Sequence, residues 1–327
     1  MRSLPLAAFT VTLLLAGCSS DDPLAETTDT NTIETTTTSA TVETSPSTAP
    51  VDAVEGRYFE HVFSDVTVST DEVYATAPDL VSGADVTLHL DVYQPVDDTL
   101  ASRPTIVWVH GGGFKAGSKE ILREVATEWA RRGYVTVSVE YRLDRGNRCQ
   151  DVQDLKIADG EVEVERLRCA AAIDAAQHDT QAAIRWLRAN ASEFGIDAER
   201  IAIGGFSAGA VTAVNVATQA DDPGDVGEHL DQPSDVSAAL VASGCSFMPE
   251  EITAGDAPMY LLASENDQAV PFTCTQATEG LALAQGIIVE TSYHLGEGTH
   301  AKALYGKYQA EVDPEWAEFL VIHLGLS

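Results

Sequence analysis

The stretch that most constrains this chain is Gly205-Phe206-Ser207-Ala208-Gly209. Ahead of it, Ile201, Ala202, Ile203 and Gly204 form a short, almost wholly apolar run of the kind a parallel strand buried on both faces requires. Behind it, Ala208 to Ala220 reads as a helix. A serine between a strand end and a helix start sits on a very sharp turn, and small residues on both sides let the backbone make that turn without clashes. The hydroxyl is thereby pushed outward. The N–H of Ala208, at the helix start, points where negative charge develops on an attacked carbonyl. Such a pentapeptide also arises by chance in a chain with 24 glycines. The flanking strand and helix give it weight.

The rest of the chain alternates in the same way. Val62 to Val68 and Val86 to Tyr93 alternate apolar with polar residues, as half-exposed strands do. Pro104 to Val109 is denser, predicting the first deeply buried strand, and it runs into His110-Gly111-Gly112-Gly113-Phe114. A helix is expected from about Ser118 to Arg132, with Gly133 as its stop, then a strand from Tyr134 to Tyr141. Residues 144–168 are charged and poor in large apolar side chains, which suggests an insertion over the C-terminal edge of the sheet, where ligands bind in such folds. A long helix is expected over Cys169 to Phe194, closed by Gly195. Strands at Ala238–Ala242, Met259–Ala263 and Ile287–Tyr293 and a helix near Pro314–Leu324 complete the pattern. Strand, helix, strand in succession implies an α/β fold, with a mostly parallel central sheet and right-handed crossovers that place helices on both faces. Residues 51–327 therefore read as one domain, without internal repeats.

A serine hydroxyl is a poor nucleophile until a base takes its proton, and that base needs an acid to hold its ring. In this chain order the acid should precede the histidine. After the strand ending at Ala263 comes Ser264-Glu265-Asn266-Asp267-Gln268-Ala269-Val270-Pro271, and Asp267 lies within that loop. Glu265 and Asp256 are its rivals, one close to the strand end and the other ahead of the strand. Gly296-Glu297-Gly298-Thr299-His300 follows the next strand, and its glycines allow the loop to fold back over the serine. His300 is the candidate base. His294, at the strand end, reads as a packed or edge residue, and His110, beside the glycines, as a residue that fixes its loop.

Three successive glycines leave their N–H groups unobstructed, so the loop at Gly111–Gly113 can donate to an oxyanion. Together, His110-Gly111-Gly112-Gly113-Phe114 and Gly205-Phe206-Ser207-Ala208-Gly209 resemble the hormone-sensitive-lipase-like carboxylesterases of the α/β-hydrolase fold. The resemblance spans about Thr105 to His300, including Tyr141-Arg142-Leu143 and the Ala182-Ala183-Ile184-Arg185-Trp186-Leu187 segment. It implies Ser207 as nucleophile, Asp267 and His300 as its partners, and Gly112, Gly113 and Ala208 as oxyanion donors, with no cofactor and no metal. The chain departs from that pattern after Leu143, where Asp144-Arg145-Gly146-Asn147-Arg148-Cys149 replaces a proline-bearing run. The family's N-terminal helical cap is replaced by a tether and strands, which implies a more open cleft.

Arg2, the apolar run Leu4 to Leu15 and the sequence Leu15-Ala16-Gly17-Cys18 resemble a bacterial lipoprotein signal. That resemblance implies a signal peptide over 1–17, acylation of Cys18 and a membrane partner through the lipid. The protein is then expected at the cell envelope, on its periplasmic or extracellular face. Residues 18–50 are mostly Thr, Ser, Asp and Glu, with too few apolar residues to offset the entropy of ordering. They are expected to form a tether with a reach on the order of 30 Å. The net charge of −32, with only 19 basic residues, argues against nucleic acid as a partner. Cys149, Cys169, Cys245 and Cys274 are an even set in a chain that reads as exported, so disulfides are expected. The favoured pairing of the three is Cys149 with Cys169 and Cys245 with Cys274; the first closes a short loop worth about 3 kcal/mol.

The expectation is a lipid-anchored serine esterase acting on small-molecule or polymeric esters through an acyl-enzyme. The alternatives are a peptidase or amidase on the same three residues, and a surface binding protein on a scaffold whose catalysis has been lost.

Overall fold

Strands follow one another across a single sheet in the order β1-β2-β4-β3-β5-β6-β7-β8. The computed structural model describes residues 54–153 and 162–326, which belong to one compact unit, residues 49–327. The expected signal, Cys18 and the tether lie outside the described residues. In chain order the elements are β1 (Val66–Pro78), β2 (Asp85–Pro95), β3 (Arg103–Val109), α1 (Arg123–Ala130) and β4 (Val135–Val139). Next come α2 (Cys149–Gln153), α3 (Val162–Ala189), α4 (Ala191–Phe194), β5 (Ile196–Phe206) and α5 (Ala208–Thr218). The chain finishes with β6 (Ala238–Ala242), β7 (Met259–Ser264), α6 (Phe272–Ala284), β8 (Val289–His294) and α7 (Ala301–His323).

β1 and β2 pair antiparallel, as do β2 and β4. From β4 through β3 to β8 all pairing is parallel. Every residue of β3, β4, β6 and β7 is buried, as strands covered on both sides must be. Their side chains alternate between two cores. Val107, Val109, Ile203, Val241 and Leu261 pack on the side of α3 and α5. Ile106, Trp108, Ala202, Leu240 and Leu262 pack on the side of α1 and α7. On that second side Trp108, Trp129, Phe206, Tyr305 and Trp316 form an aromatic cluster, with Phe206 stacked 6.0 Å from Trp108. The residue before Ser207 is therefore anchored deep in the core.

Several boundaries differ from the sequence reading. The first strand lies at Val66–Pro78 rather than Val62–Val68, because Asp71 takes a left-handed backbone (φ 59°) at a register shift between Ser69 and Glu72. Such a bulge breaks the alternation that periodicity detects. Ser118–Arg132 resolves into a 3-10 turn at Lys119–Leu122 followed by α1. The described parts of 144–168 include α2 and the first turns of α3, so α3 begins seven residues ahead of Cys169. The chain leaves α4 at Gly195, which takes the left-handed conformation (φ 60°). α6 has no counterpart in the sequence reading, because its buried residues are Thr275, Thr278 and Ala282 rather than large apolar ones. α7 begins at Ala301 and contains Pro314, with non-helical geometry at Tyr308 in the turns before the proline.

Candidate active site

Because β3, β5, β6, β7 and β8 are parallel, the loops that follow them gather at one edge of the sheet. β5 delivers Ser207 immediately after its last residue, at φ 58° and ψ −121°, a backbone region costly for a residue with a Cβ. Close packing holds it there. A Cβ on Gly205 would lie 2.0 Å from the carbonyl oxygen of Gly209, and one on Gly209 would lie 2.1 Å from that of Val109. The Ser207 N–H donates to the Ala242 carbonyl (3.0 Å), and its own carbonyl accepts from the N–H groups of Ala210 (2.8 Å) and Val211 (3.0 Å). No helical alternative is open to it.

Three residues beyond β7, Asp267 sits in a loop with its side chain buried. One carboxylate oxygen, Oδ1, accepts the N–H groups of Ala269 (2.8 Å) and Val270 (3.1 Å). The other, Oδ2, lies 2.6 Å from His300 Nδ1. Burial pushes this carboxyl up, but the hydrogen bonds from His300, Ala269 and Val270 outweigh it and hold it below its ordinary value. A carboxylate so held only accepts, so Nδ1 of His300 carries the hydrogen. That leaves Nε2 to accept, and Ser207 Oγ is 2.8 Å from it. The structure thus brings Ser207, His300 and Asp267 into one hydrogen-bonded chain.

The rivals are engaged elsewhere. Glu265 accepts the Gly296 N–H (2.7 Å), and Asp256 accepts the N–H of Thr253 (2.7 Å). His294 stacks on Tyr308 with ring centres 3.6 Å apart. His110 is buried, stacked on Tyr141 at 4.3 Å, and burial lowers its pKa. Its Nδ1 is 2.9 Å from the carbonyl oxygen of Gly111, an acceptor only, so Nδ1 carries the hydrogen there too.

The glycine loop lies directly on the serine. A Cβ on Gly111 would come 2.6 Å from the Phe206 carbonyl oxygen and 3.0 Å from Ser207 Cβ. Gly112 takes φ 131° and packs so tightly on Ala116 that a Cβ would lie 1.9 Å from its carbonyl oxygen. Gly112, Gly113, Ser207 and Ala208 share the lining of a cavity of about 260 Å³, closed by Phe114, Val211, Phe247 and Val270. Cys149 and Gln150, from the charged stretch at 144–168, form another part of its wall. Disulfides join Cys149 to Cys169 and Cys245 to Cys274. No metal-binding cluster of His, Cys, Asp or Glu occurs among the described residues.

Sequence reasoning missed the residues that hold the histidine loop. Ser243 Oγ accepts the Ala301 N–H (2.8 Å), and Ser264 Oγ donates to the Thr299 carbonyl, so buried hydroxyls grip the backbone on both sides of His300. Glu297 joins the two loops. Its carbonyl accepts the Asn266 N–H (2.7 Å), and its carboxylate accepts the N–H groups of Gly298 and Thr299 (both 2.8 Å) and pairs with Lys307. The Lys307 ammonium leads the contacts that keep this carboxyl far below its ordinary value. Both serines directly follow or end a parallel strand at the loop edge, a position that marks them in retrospect.

The fold is that of the α/β hydrolases. An esterase of Thermogutta terrifontis, Est2, in its propionate-bound form superposes with a TM-score of 0.61 over 79% of this chain and 95% of that one, at 22% identity. The family model BD-FAE matches residues 90–158 and 162–250, a span that includes the glycine loop and Ser207 and stops short of Asp267 and His300. Among curated proteins, the chain is 31% identical over 123 residues to secreted lipase 5 of Gibberella zeae, covering 37% of this chain and 21% of that protein. It is 28% identical over 141 residues to the chlorogenic acid esterase of Aspergillus niger, covering 41% and 24%. The matched stretches thus span a quarter or less of these two relatives' own length.

Proposed function

We propose that this chain is a serine esterase that hydrolyses carboxylic esters through Ser207, His300 and Asp267. The observation that carries the reading is the unbroken relay from Asp267 Oδ2 through His300 to Ser207 Oγ, at 2.6 and 2.8 Å. Ser207 Oγ attacks the ester carbonyl carbon while His300 Nε2 takes its proton, and Asp267 stabilises the imidazolium. The carbonyl oxygen becomes an oxyanion beside the N–H groups of Gly112, Gly113 and Ala208. Collapse expels the alcohol, which receives the proton from His300, and leaves an acyl group on Ser207. Water, deprotonated by His300, then attacks that acyl group; the bond to Ser207 Oγ breaks, Oγ takes the proton back from His300, and the carboxylic acid departs. The names of the curated relatives, a secreted lipase and a chlorogenic acid esterase, support the same reaction class.

Ser207→Ala is expected to lower kcat on 4-nitrophenyl acetate by roughly 10⁶-fold. Undiminished turnover by that variant contradicts the proposal. A matched 4-nitroanilide separates ester from amide hydrolysis, and the esterase reading expects the ester to be strongly preferred.

Export and lipid anchoring through Cys18 belong to the same proposal, supported by the two disulfides, which suit an oxidising compartment. Cys18→Ser is expected to move the protein from the membrane fraction to the soluble fraction; retention in the membrane contradicts the anchor.

A further inference from the structure

Beside the cavity at Ser207 lies a second one of about 460 Å³. Phe247 stands in the walls of both, and the Cys149–Cys169 disulfide contributes one cysteine to each. Val270 lines the first and its neighbour Pro271 the second. Most of the lining of the second is apolar: Ile173, Met248, Pro271 and the bridge cysteines Cys169 and Cys274 face it, with Asp174 and Ser246 as polar members. Arg166, with its side chain 64% exposed, also lines it. Binding sites for organic molecules commonly run from about 300 to 1,000 Å³. The first cavity alone falls short of that range, and the two together lie within it.

Which side of an ester enters follows from the positions of the donors. The first cavity is lined by Gly112, Gly113 and Ala208, whereas His300 lines neither cavity and its side chain is 30% exposed. The group that leaves takes its proton from His300 and so departs on the solvent side. The acyl group remains in the cavity. Among the described residues, the second cavity offers an acyl group longer than the first room to extend past Phe247 and over the disulfide.

We propose that the second cavity is the distal acyl subsite, and that the substrates are esters of extended apolar carboxylic acids. This inference rests on the esterase reading. Ala170 lies on an exposed turn of α3 at the wall of the second cavity, so Ala170→Trp fills the space from outside the core. Met248→Trp fills it from the loop after β6. The quantity to measure is the ratio of kcat/KM for 4-nitrophenyl octanoate to that for 4-nitrophenyl acetate. The ratio is expected to exceed one in the wild type and to fall by about tenfold or more in each variant, the discrimination that loss of apolar contact to part of a substrate gives. Thermal unfolding of each variant checks that it is folded. A wild-type ratio below one, or a ratio unchanged in both folded variants, overturns the subsite while leaving the esterase reading standing. If the wild type hydrolyses neither ester, the esterase reading fails and the subsite with it.

Discussion

Ser207 and His300 meet at 2.8 Å, and the chain brings them there by different means. Ser207 is positioned by exclusion: a strand end, a helix start and the glycine loop approach so closely that side chains at Gly205, Gly209 or Gly111 would overlap backbone atoms. His300 and Asp267 are positioned by attraction. Their loops are held by hydroxyls from Ser243 and Ser264, by Glu297, and by the N–H groups of Ala269 and Val270. Steric exclusion fails all at once, because overlapping atoms cannot share the space. A hydrogen-bonded loop loses its geometry by degrees, one partner at a time.

The largest expected effect on the attracted side is that of Asp267→Asn, which keeps the shape of the side chain but removes its charge and permits the wrong histidine tautomer. A loss of about 10⁴ in kcat is expected, with little change in KM. Gly205→Ala probes the excluded side; it should cost roughly 3 kcal/mol or more in urea unfolding or prevent folding altogether, and an unperturbed midpoint breaks the comparison. Ser243→Ala leaves the buried N–H of Ala301 without its partner, a cost of about 1–3 kcal/mol, and Ser264→Ala does the same to the part-buried carbonyl of Thr299 at a cost toward the low end of that range. Each is expected to lower kcat more than KM, and a purely structural role for these serines would lower stability alone. Glu297→Ala should produce a smaller loss than either serine variant, because its partner Lys307 is half exposed, and added salt should lessen the difference from wild type.

Asp267 also makes a pH prediction with a definite sign. Its carboxyl is held below its ordinary value in the folded protein, so it contributes stability above the ordinary carboxylate range and loses that contribution as pH falls through it. The stability difference between wild type and Asp267→Asn should therefore be full at pH 7 and shrink in acid. Urea unfolding of both at several pH values measures it, and a difference that grows in acid has the wrong sign.

The same contrast explains what could be read from the sequence. Gly205-Phe206-Ser207-Ala208-Gly209 is legible because its constraint is local: the three atoms that crowd Gly205 most closely belong to Gly209 and Ala210. Asp267 and His300 could be assigned from strand order and loop placement, since a parallel sheet carries such loops to one edge. Ser243 and Ser264 gave no local signal, because each holds a backbone group far along the chain; Ser243 and Ala301 are 58 residues apart. The Glu297 carboxylate holds the N–H groups of the next two residues, and Glu297 reaches the other loop through its own carbonyl, at Asn266. The dense apolar runs that located β3 and β5 have no counterpart in α6, whose buried face is made of Thr275, Thr278 and Ala282. The alternation that located β2 misplaced β1, where Asp71 interrupts the period.

A fluorophosphonate tests the assignment most directly, because it traps only a serine activated by a neighbouring base. After treatment of the intact protein, mass spectrometry of the digest is expected to find one adduct per chain, on Ser207, and the adduct should vanish when His300→Ala is treated in the same way. An adduct on any other residue, or no adduct on the folded wild-type protein, would contradict the account.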